Sequence, residues 1–204
     1  MLSELVDPKG RIPYDGLKAM LGQISLSEFT EQARHPFLVG KELYDGELRK
    51  KAGASSSTST IRFTNTETDN HLENKQTRQA MDISENDEEA SPSITHAIYM
   101  LRKRRFAPED EENVFKIGRS QDNDIIIADY VISKHHAEII LFRNMYFILD
   151  SNSTNGTKVN GRPVTSQMKI QLQVNSVISF GRYAFVFAPP LQLFRAIRRE
   201  IIET

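Results

Sequence analysis

The sequence has no cysteine among its 204 residues. The chain therefore has no disulfides, no thiolate nucleophile and no cysteine-ligated zinc. No stretch approaches the roughly 20 apolar residues that a membrane-spanning helix needs. The N-terminus, MLSELVDPKGRIPYDG, lacks the basic start and apolar centre of a signal peptide. Together these absences predict a soluble, cytoplasmic protein that does not contact a membrane.

The chain also lacks an excess of charge of either sign, because it has 26 basic and 27 acidic residues and a net charge of −1. A near-neutral chain gives no reason to expect broad affinity for nucleic acid. One basic run stands out, RKRR at residues 102–105. We interpret it as a solvated loop between two strands, and contact with nucleic acid or an acidic partner is the alternative.

Residues 1–52 carry helical patterns. One helix face is predicted by apolar residues three and four positions apart: Leu17, Met20, Leu21 and Ile24. Ser27 is a candidate N-cap for a second helix that runs toward Phe37. The segment is too short to bury a large core alone.

Residues 53–93 differ in composition from both neighbours. They contain eight acidic and three basic residues and few large apolar ones. Such a stretch cannot bury enough surface to offset the entropy of ordering it. The composition therefore predicts a flexible, acidic linker rich in Ser and Thr.

Residues 94–189 are rich in β-branched and aromatic residues, in short runs separated by turn formers. The predicted strands are ITHAIYML, NVFKIGR, DIIIA, AEIILF, MYFILD, VISF and YAFVF. Many short strands with frequent turns predict a mainly β fold, a sandwich or a barrel. Residues 190–204 follow as a C-terminal helix, whose start is marked by Pro189 and Pro190.

Polar residues suited to binding an anion occur at the ends of these strands. Arg119 directly follows a strand, and a guanidinium can grip a phosphate with two parallel hydrogen bonds. Ser133 adds a hydroxyl and Lys134 a second positive charge. Thr154 and Asn155 lie in a turn whose polar side chains and backbone N–H groups can bind a phosphate or a peptide. No pair of nucleophile and base is evident, so these groups predict binding and not catalysis.

Three motifs occur in order: Gly118-Arg119, then Ser133-x-x-His136, then Thr154-Asn155-Gly156-Thr157. With their spacing, the stretch from about Ile94 to Ala188 resembles the forkhead-associated family. The resemblance covers roughly half of the chain. It implies a β-sandwich of short antiparallel strands that binds phosphothreonine peptides.

The resemblance also implies a role for each motif residue. Arg119 and Ser133 would bind the phosphate with help from Lys134 and Thr154, and Asn155 would bond the peptide backbone. The architectural residues would be Gly118, His136 and Gly156, with His136 supporting the binding loops by hydrogen bonds. Alternation along DIIIA alone would place Arg119 and Ser133 apart, so only the resemblance implies that they converge.

A metal site is not expected, although His135, His136 and Glu138 are close in sequence. Along a strand, His136 and Glu138 share a face while His135 points to the other. No cofactor is expected either. An enzyme is disfavoured because the chain has no G-x-x-x-x-G-K loop and no convincing triad.

The sequence thus predicts a phosphothreonine-binding adaptor in Ser/Thr kinase signalling. The alternative is a scaffold that uses the same domain for phosphate-independent protein binding. Members of the family often read the third residue after the phosphothreonine. The loop at residues 129–132, Asp-Tyr-Val-Ile, offers mainly apolar side chains, which favours an aliphatic residue there over aspartate.

Two linker threonines, Thr66 and Thr68, are candidate phosphorylation sites. Some bacterial members of the family are closed by a phosphothreonine on their own flexible tail. A phosphorylated linker could dock in cis or, between copies, in trans. A plain spacer is the alternative.

Overall fold

The computed structural model describes residues 1–41, 97–104 and 111–202. Its strands are β1 (Arg11–Ile12), β2 (Phe37–Gly40), β3 (Ile98–Met100), β4 (Val114–Gly118), β5 (Ile125–Ile126), β6 (Ala137–Phe142), β7 (Met145–Asp150), β8 (Thr157–Val159), β9 (Arg162–Pro163), β10 (Ile170–Gln171), β11 (Val177–Phe180) and β12 (Tyr183–Ala188). Its helices are a short 3-10 helix (Leu2–Glu4), α1 (Tyr14–Gln23), α2 (Leu26–Gln32) and α3 (Pro190–Ile202).

The strands form two sheets that pack as a sandwich. The first has the order β1-β3-β2-β12-β11-β8-β9, and the second has the order β10-β7-β6-β4-β5. All pairs are antiparallel except β4 with β5. The predicted mainly β sandwich is confirmed. Alternating residues of both sheets, including Phe115, Ile139 and Phe185, fill the space between them.

Strand β2 corrects the expected segment boundaries. Sequence reasoning placed Phe37–Gly40 in a helical segment separate from the sandwich, but β2 lies in the sheet between β3 and β12. It is buried along its whole length. Pro36 disfavours helical geometry in the residue before it, so the chain is extended where a helix was expected.

Helix α2 is shorter than expected and begins earlier. Its N-cap is Ser25, not Ser27, because a capping box needs Glu or Gln three residues later and Glu28 meets that spacing. The Ser25 Oγ accepts from the Glu28 N–H, and the Glu28 carboxylate accepts from the Ser25 N–H. The helix ends at Gln32.

The helices pack on the outer face of the seven-stranded sheet. A second apolar core forms there between α1, α2, α3 and the sheet, with Leu21, Phe29, Phe37 and Phe194 among its members. The N-terminal helices thus bury their apolar faces against α3 and the sandwich. The predicted linker, including Thr66 and Thr68, lies outside the described residues.

The sequence places only Arg143-Asn144 between the predicted strands AEIILF and MYFILD, which predicts a tight hairpin, and the β6–β7 turn is one. Arg143 and Asn144 both have positive φ, 49° and 62°, as a two-residue hairpin loop of type I′ requires. Within the described parts of the chain, no helix is long and apolar enough to cross a membrane.

Candidate functional site

Arg119 lies in an exposed loop where β4 ends, beside the loop that carries Ser133. The backbone N–H of Arg119 donates to the Ser133 carbonyl over 3.0 Å, and that of Ser120 donates to the Lys134 carbonyl over 3.2 Å. The two loops therefore meet, although strand alternation alone would have placed them apart. The Arg119 guanidinium makes no hydrogen bond or ion pair with any residue that the structure describes.

Gly118 makes this close approach possible. A Cβ added there would lie 2.1 Å from the Lys134 carbonyl oxygen, far inside contact distance. A side chain at position 118 would force the two loops apart and move Arg119 with them.

Ser133 and Thr154 join the Ser133 loop to a third loop, which lies between β7 and β8 and carries Thr154 and Asn155. The Thr154 N–H donates to the Ser133 Oγ over 3.0 Å, and the two hydroxyl oxygens are 3.5 Å apart. Both side chains are near the surface, and Lys134 beside them is exposed. Hydroxyl donors and two positive charges thus lie at one end of the sandwich.

Asn155 connects the third loop to the segment before Ser133. Its Nδ2 donates to the Val131 carbonyl over 2.8 Å. The next residue, Gly156, has a φ of +72°, a left-handed conformation that glycine adopts without strain. This turn holds the exposed Asn155 at the rim of the site.

His136 is fully buried beneath these loops. Its Nδ1 accepts from the Ser133 N–H over 3.1 Å, and its Nε2 lies 3.3 Å from the Gly156 carbonyl oxygen. The first contact makes Nδ1 the unprotonated nitrogen, so Nε2 carries the proton and donates. Burial lowers the pKa of His136, against the opposing effects of the Gly156 carbonyl and of Asp150. The neutral ring therefore bridges two loops.

Sequence reasoning missed Asp150, which organises the third loop from the end of β7. Its carboxylate accepts from the N–H and hydroxyl of Ser153 and from the Thr157 hydroxyl. Burial alone would raise the pKa of Asp150, but these hydrogen bonds outweigh it and the pKa is lowered. An Asp three residues before a Ser in a turn is a local signal that could have identified it.

Asn123 was missed as well. It is buried, and its Nδ2 donates to the carbonyls of Ser120 and Lys134 over 2.8 and 2.7 Å. It ties the Arg119 loop to the Ser133 loop from inside.

A third unforeseen group lies at the other side of the site, where the β11–β12 turn brings Arg182 to the loop before Ser133. Asp129 accepts from Arg182 over 3.0 Å and also from the Tyr183 hydroxyl. Burial would raise the pKa of Asp129, yet the bonds from Tyr183, Val131 and Arg182 lower it overall. The Arg182 guanidinium also lies over the ring of Tyr130, which is 82% exposed. No local signal links residues more than 50 positions apart.

Two side chains of the basic run at residues 102–105 are bonded to the protein, while the buried Nε of Arg102 has no hydrogen-bond partner among the described residues. The Lys103 ammonium forms an ion pair with Asp124 at 2.7 Å. Arg104 donates to the carbonyls of Gln121 and Asn123. The predicted solvated loop is therefore wrong for these two side chains, and Arg105 lies outside the described residues.

Comparisons with known proteins match part of this chain. The family model of the FHA domain matches residues 115–181. An ABC transporter ATP-binding/permease protein of Mycobacterium tuberculosis is 35% identical over 100 residues, which cover 49% of this chain and 11% of the transporter. The glycogen accumulation regulator GarA of M. tuberculosis is 34% identical over 77 residues, covering 38% of this chain and 46% of GarA.

Among solved structures, M. tuberculosis EmbR in complex with a low-affinity phosphopeptide is 31% identical, covers 38% of this chain and 20% of EmbR, and has a TM-score of 0.36. The chain thus spans less than half the length of these relatives. The matched residues 115–181 include the Gly-Arg, Ser-x-x-His and Thr-Asn-Gly-Thr motifs. The chain therefore contains a forkhead-associated (FHA) domain.

Proposed function

We propose that this protein is a phosphothreonine-binding adaptor in Ser/Thr kinase signalling in the cytoplasm. The observation that carries the proposal is the exposed Arg119, whose guanidinium is unpaired among the described residues and whose backbone N–H bonds the carbonyl of Ser133. A phosphothreonine carries about −1.5 to −2 charges at neutral pH. Charge-assisted hydrogen bonds from Arg119 and Ser133, with Lys134 and Thr154 beside them, suit such a group.

The site lacks the pairing that nucleophilic catalysis requires. The Ser133 hydroxyl lies against Thr154, and both ring nitrogens of His136 are bonded to backbone groups. His136 therefore cannot accept the proton of Ser133 without giving up a loop contact. This supports a binding role, as does the regulatory role in the name of GarA.

Selectivity beyond the phosphate would come from the rim formed by Tyr130, Val131 and Arg182. Arg182 lies there, which would favour an acidic residue, but Asp129 already neutralises it. The exposed Tyr130 ring is then the main free surface. We therefore keep the expectation of an aliphatic residue at the third position after the phosphothreonine. A peptide library enriched for aspartate at that position would contradict it.

Gly40 and Ala97, which flank the segment between β2 and β3, lie at the end of the sandwich that carries Arg119, Ser133 and Asn155, here called the phosphate end. The Gly40 N–H donates to the Ala97 carbonyl over 2.8 Å, and Gly40 pairs with Phe185, near the start of β12. The β11–β12 turn at that end contacts the site through the Gly181 N–H and the Gly156 carbonyl. A phosphorylated Thr66 or Thr68 would thus be tethered close to Arg119, at high effective concentration.

The adaptor proposal is tested with the full chain against an array of phosphothreonine peptides. Each peptide is paired with its unphosphorylated and phosphoserine forms. Arg119→Ala should lose about 2–5 kcal/mol of binding free energy, as truncation of a charged partner does. Arg162→Ala, an exposed arginine on β9, is the matched control and should bind normally. Binding that survives phosphatase treatment and Arg119→Ala would favour the phosphate-independent scaffold instead.

Self-regulation needs a separate experiment. The chain is phosphorylated by a Ser/Thr kinase, the sites are located by mass spectrometry, and compaction or oligomer formation is followed by solution scattering. Docking in cis predicts compaction that Arg119→Ala abolishes and that a Thr66→Val/Thr68→Val chain does not show. A phosphorylated chain with unchanged dimensions and oligomeric state would leave the segment a plain spacer.

A further inference from the structure

In the basic run at residues 102–105, Lys103 and Arg104 bond the protein itself, which differs from the nucleic-acid contact that the charge of the run suggests. We propose that Arg104 and Lys103 are positioning residues that hold the phosphate loop, residues 119–124, from its outer side. The inference rests on the proposed function, because the loop matters as the carrier of Arg119.

Arg104 supplies the main contacts. Its Nη1 donates to the Gln121 carbonyl over 3.1 Å and to the Asn123 carbonyl over 2.8 Å. Two acceptors on one turn, bound by one planar group, fix the turn relative to the chain that follows β3. The guanidinium is therefore committed to the protein's own backbone.

Lys103 fixes the end of the same loop through Asp124. The Asp124 side chain is buried and accepts from the Lys103 ammonium over 2.7 Å, from the Arg104 N–H over 3.1 Å and from the Lys116 N–H over 3.0 Å. A buried carboxylate is tolerated only when it is paired and hydrogen-bonded in this way. The Lys103 ammonium also donates to the Val114 carbonyl, so it links the loop to the beginning of β4.

The inner side of the loop is held by a different residue. Asn123 donates to Ser120 and Lys134, while Arg104 binds the opposite side through the carbonyls of Gln121 and Asn123. The loop is thus held between the sandwich and the basic run. A loop ordered before the ligand arrives loses less entropy on binding, so these contacts would raise affinity without touching the phosphate.

The test separates positioning from simple attraction between charges. Arg104→Ala removes both hydrogen bonds and the charge, whereas Arg104→Gln removes the charge and keeps N–H donors. If Arg104 positions the loop, Arg104→Ala should bind a phosphothreonine peptide about tenfold more weakly, the size expected when roughly one loop residue must be reordered. Arg104→Gln should bind with an affinity between those of Arg104→Ala and wild type, since it keeps N–H donors on a shorter side chain.

Two further measurements complete the experiment. The salt dependence of binding should have the same slope in wild type and both variants, because Arg104 does not contact the phosphate. In the free protein, Arg104→Ala should speed amide exchange at Arg119 and Ser120 by at least the same tenfold factor. Arg162→Ala serves as the control, and thermal melting verifies that every variant is folded.

Arg104→Ala with wild-type affinity and wild-type exchange would overturn the proposal. Equal losses in Arg104→Ala and Arg104→Gln with a shallower salt slope would also overturn it, because they indicate direct attraction of the phosphate. If the wild-type chain binds no phosphothreonine peptide, the proposed function fails. The exchange measurement would even then decide whether Arg104 orders the loop.

Discussion

The phosphate end of the sandwich and its helical layer are built by different means. At the phosphate end, buried polar side chains such as Asn123, His136 and Asp150 bond backbone groups of neighbouring loops. In the helical layer, large apolar side chains such as Phe29 and Phe37 stack on one another. The first region depends on direction and distance, while the second depends on area removed from water.

Strand β2 shows how one element serves both sides of the sheet. Leu38 belongs to the core of the sandwich, and its neighbours Phe37 and Val39 belong to the core under the helices. The matched family residues, 115–181, exclude β2 and the helices α1, α2 and α3. Binding and much of the stability should therefore be separable by mutation.

The largest expected effect is in the helical layer. Phe37→Ala should lower the free energy of unfolding by about 3–5 kcal/mol, since it removes a buried ring and leaves a cavity. Phe37 is 0% exposed and stacks on Phe29. Chemical denaturation measures the loss, and titration below the new midpoint should give wild-type affinity for a phosphothreonine peptide. Reduced affinity in the folded protein would show that the two regions are coupled.

The next effect is at the phosphate end, where a substitution should weaken binding and leave stability nearly unchanged. Asn155→Ala removes an amide that holds the Val131 carbonyl and that we propose bonds the peptide backbone, so binding should weaken by about 1–3 kcal/mol. The free energy of unfolding should change little, since Asn155 is exposed. Calorimetric titration and thermal melting give the two numbers. A variant destabilised as much as Phe37→Ala would remove the distinction between the regions.

A smaller change is expected at the start of α2. Ser25→Ala removes the capping hydroxyl and should cost about 0.5–2 kcal/mol of unfolding free energy. Peptide affinity should be unchanged because the cap lies in the helical layer. Ser27→Ala is the matched control, since Ser27 is not the N-cap, and it should leave the unfolding midpoint nearly unaltered.

The smallest expected effect is on pH dependence, and it involves His136 at the phosphate end and His35, which contacts Tyr146 and Phe115 of the second sheet. Burial lowers the pKa of His136, and burial and Arg34 lower the pKa of His35, which bonds Tyr146. As the pH falls, these two histidines bind protons near pH 6.5 in the unfolded chain, and only at a lower pH in the folded chain. Stability should therefore fall as the pH drops through 6.5, until the lowered folded-state pKa values are reached.

Urea unfolding at pH 7.5 and 5.5 measures this loss. His35→Gln should reduce the difference between the two pH values and leave the remainder that His136 contributes. The carboxyl groups of Asp129 and Asp150 titrate below this window, because their pKa values are lowered from 3.8. Equal stability at both pH values would contradict the prediction.

Local patterns predicted a good part of this molecule. The β-rich half, the Arg143–Asn144 turn and the α1 apolar face follow from periodicity and turn chemistry over a few residues. The motif residues were found from their types and order. By contrast, β2 is only four residues long, and its partners β3 and β12 lie about 60 and 150 positions further along the chain.

By itself, the sequence determined the fold class and the order of the three family motifs, because both are encoded in short stretches of chain. Tertiary structure alone decided that the Arg119 loop meets the Ser133 loop, that Arg104 bonds residues 119–124 and that β2 lies between β3 and β12 in the sheet. These contacts join residues far apart in sequence, and their geometry depends on how the two sheets and the helical layer pack together.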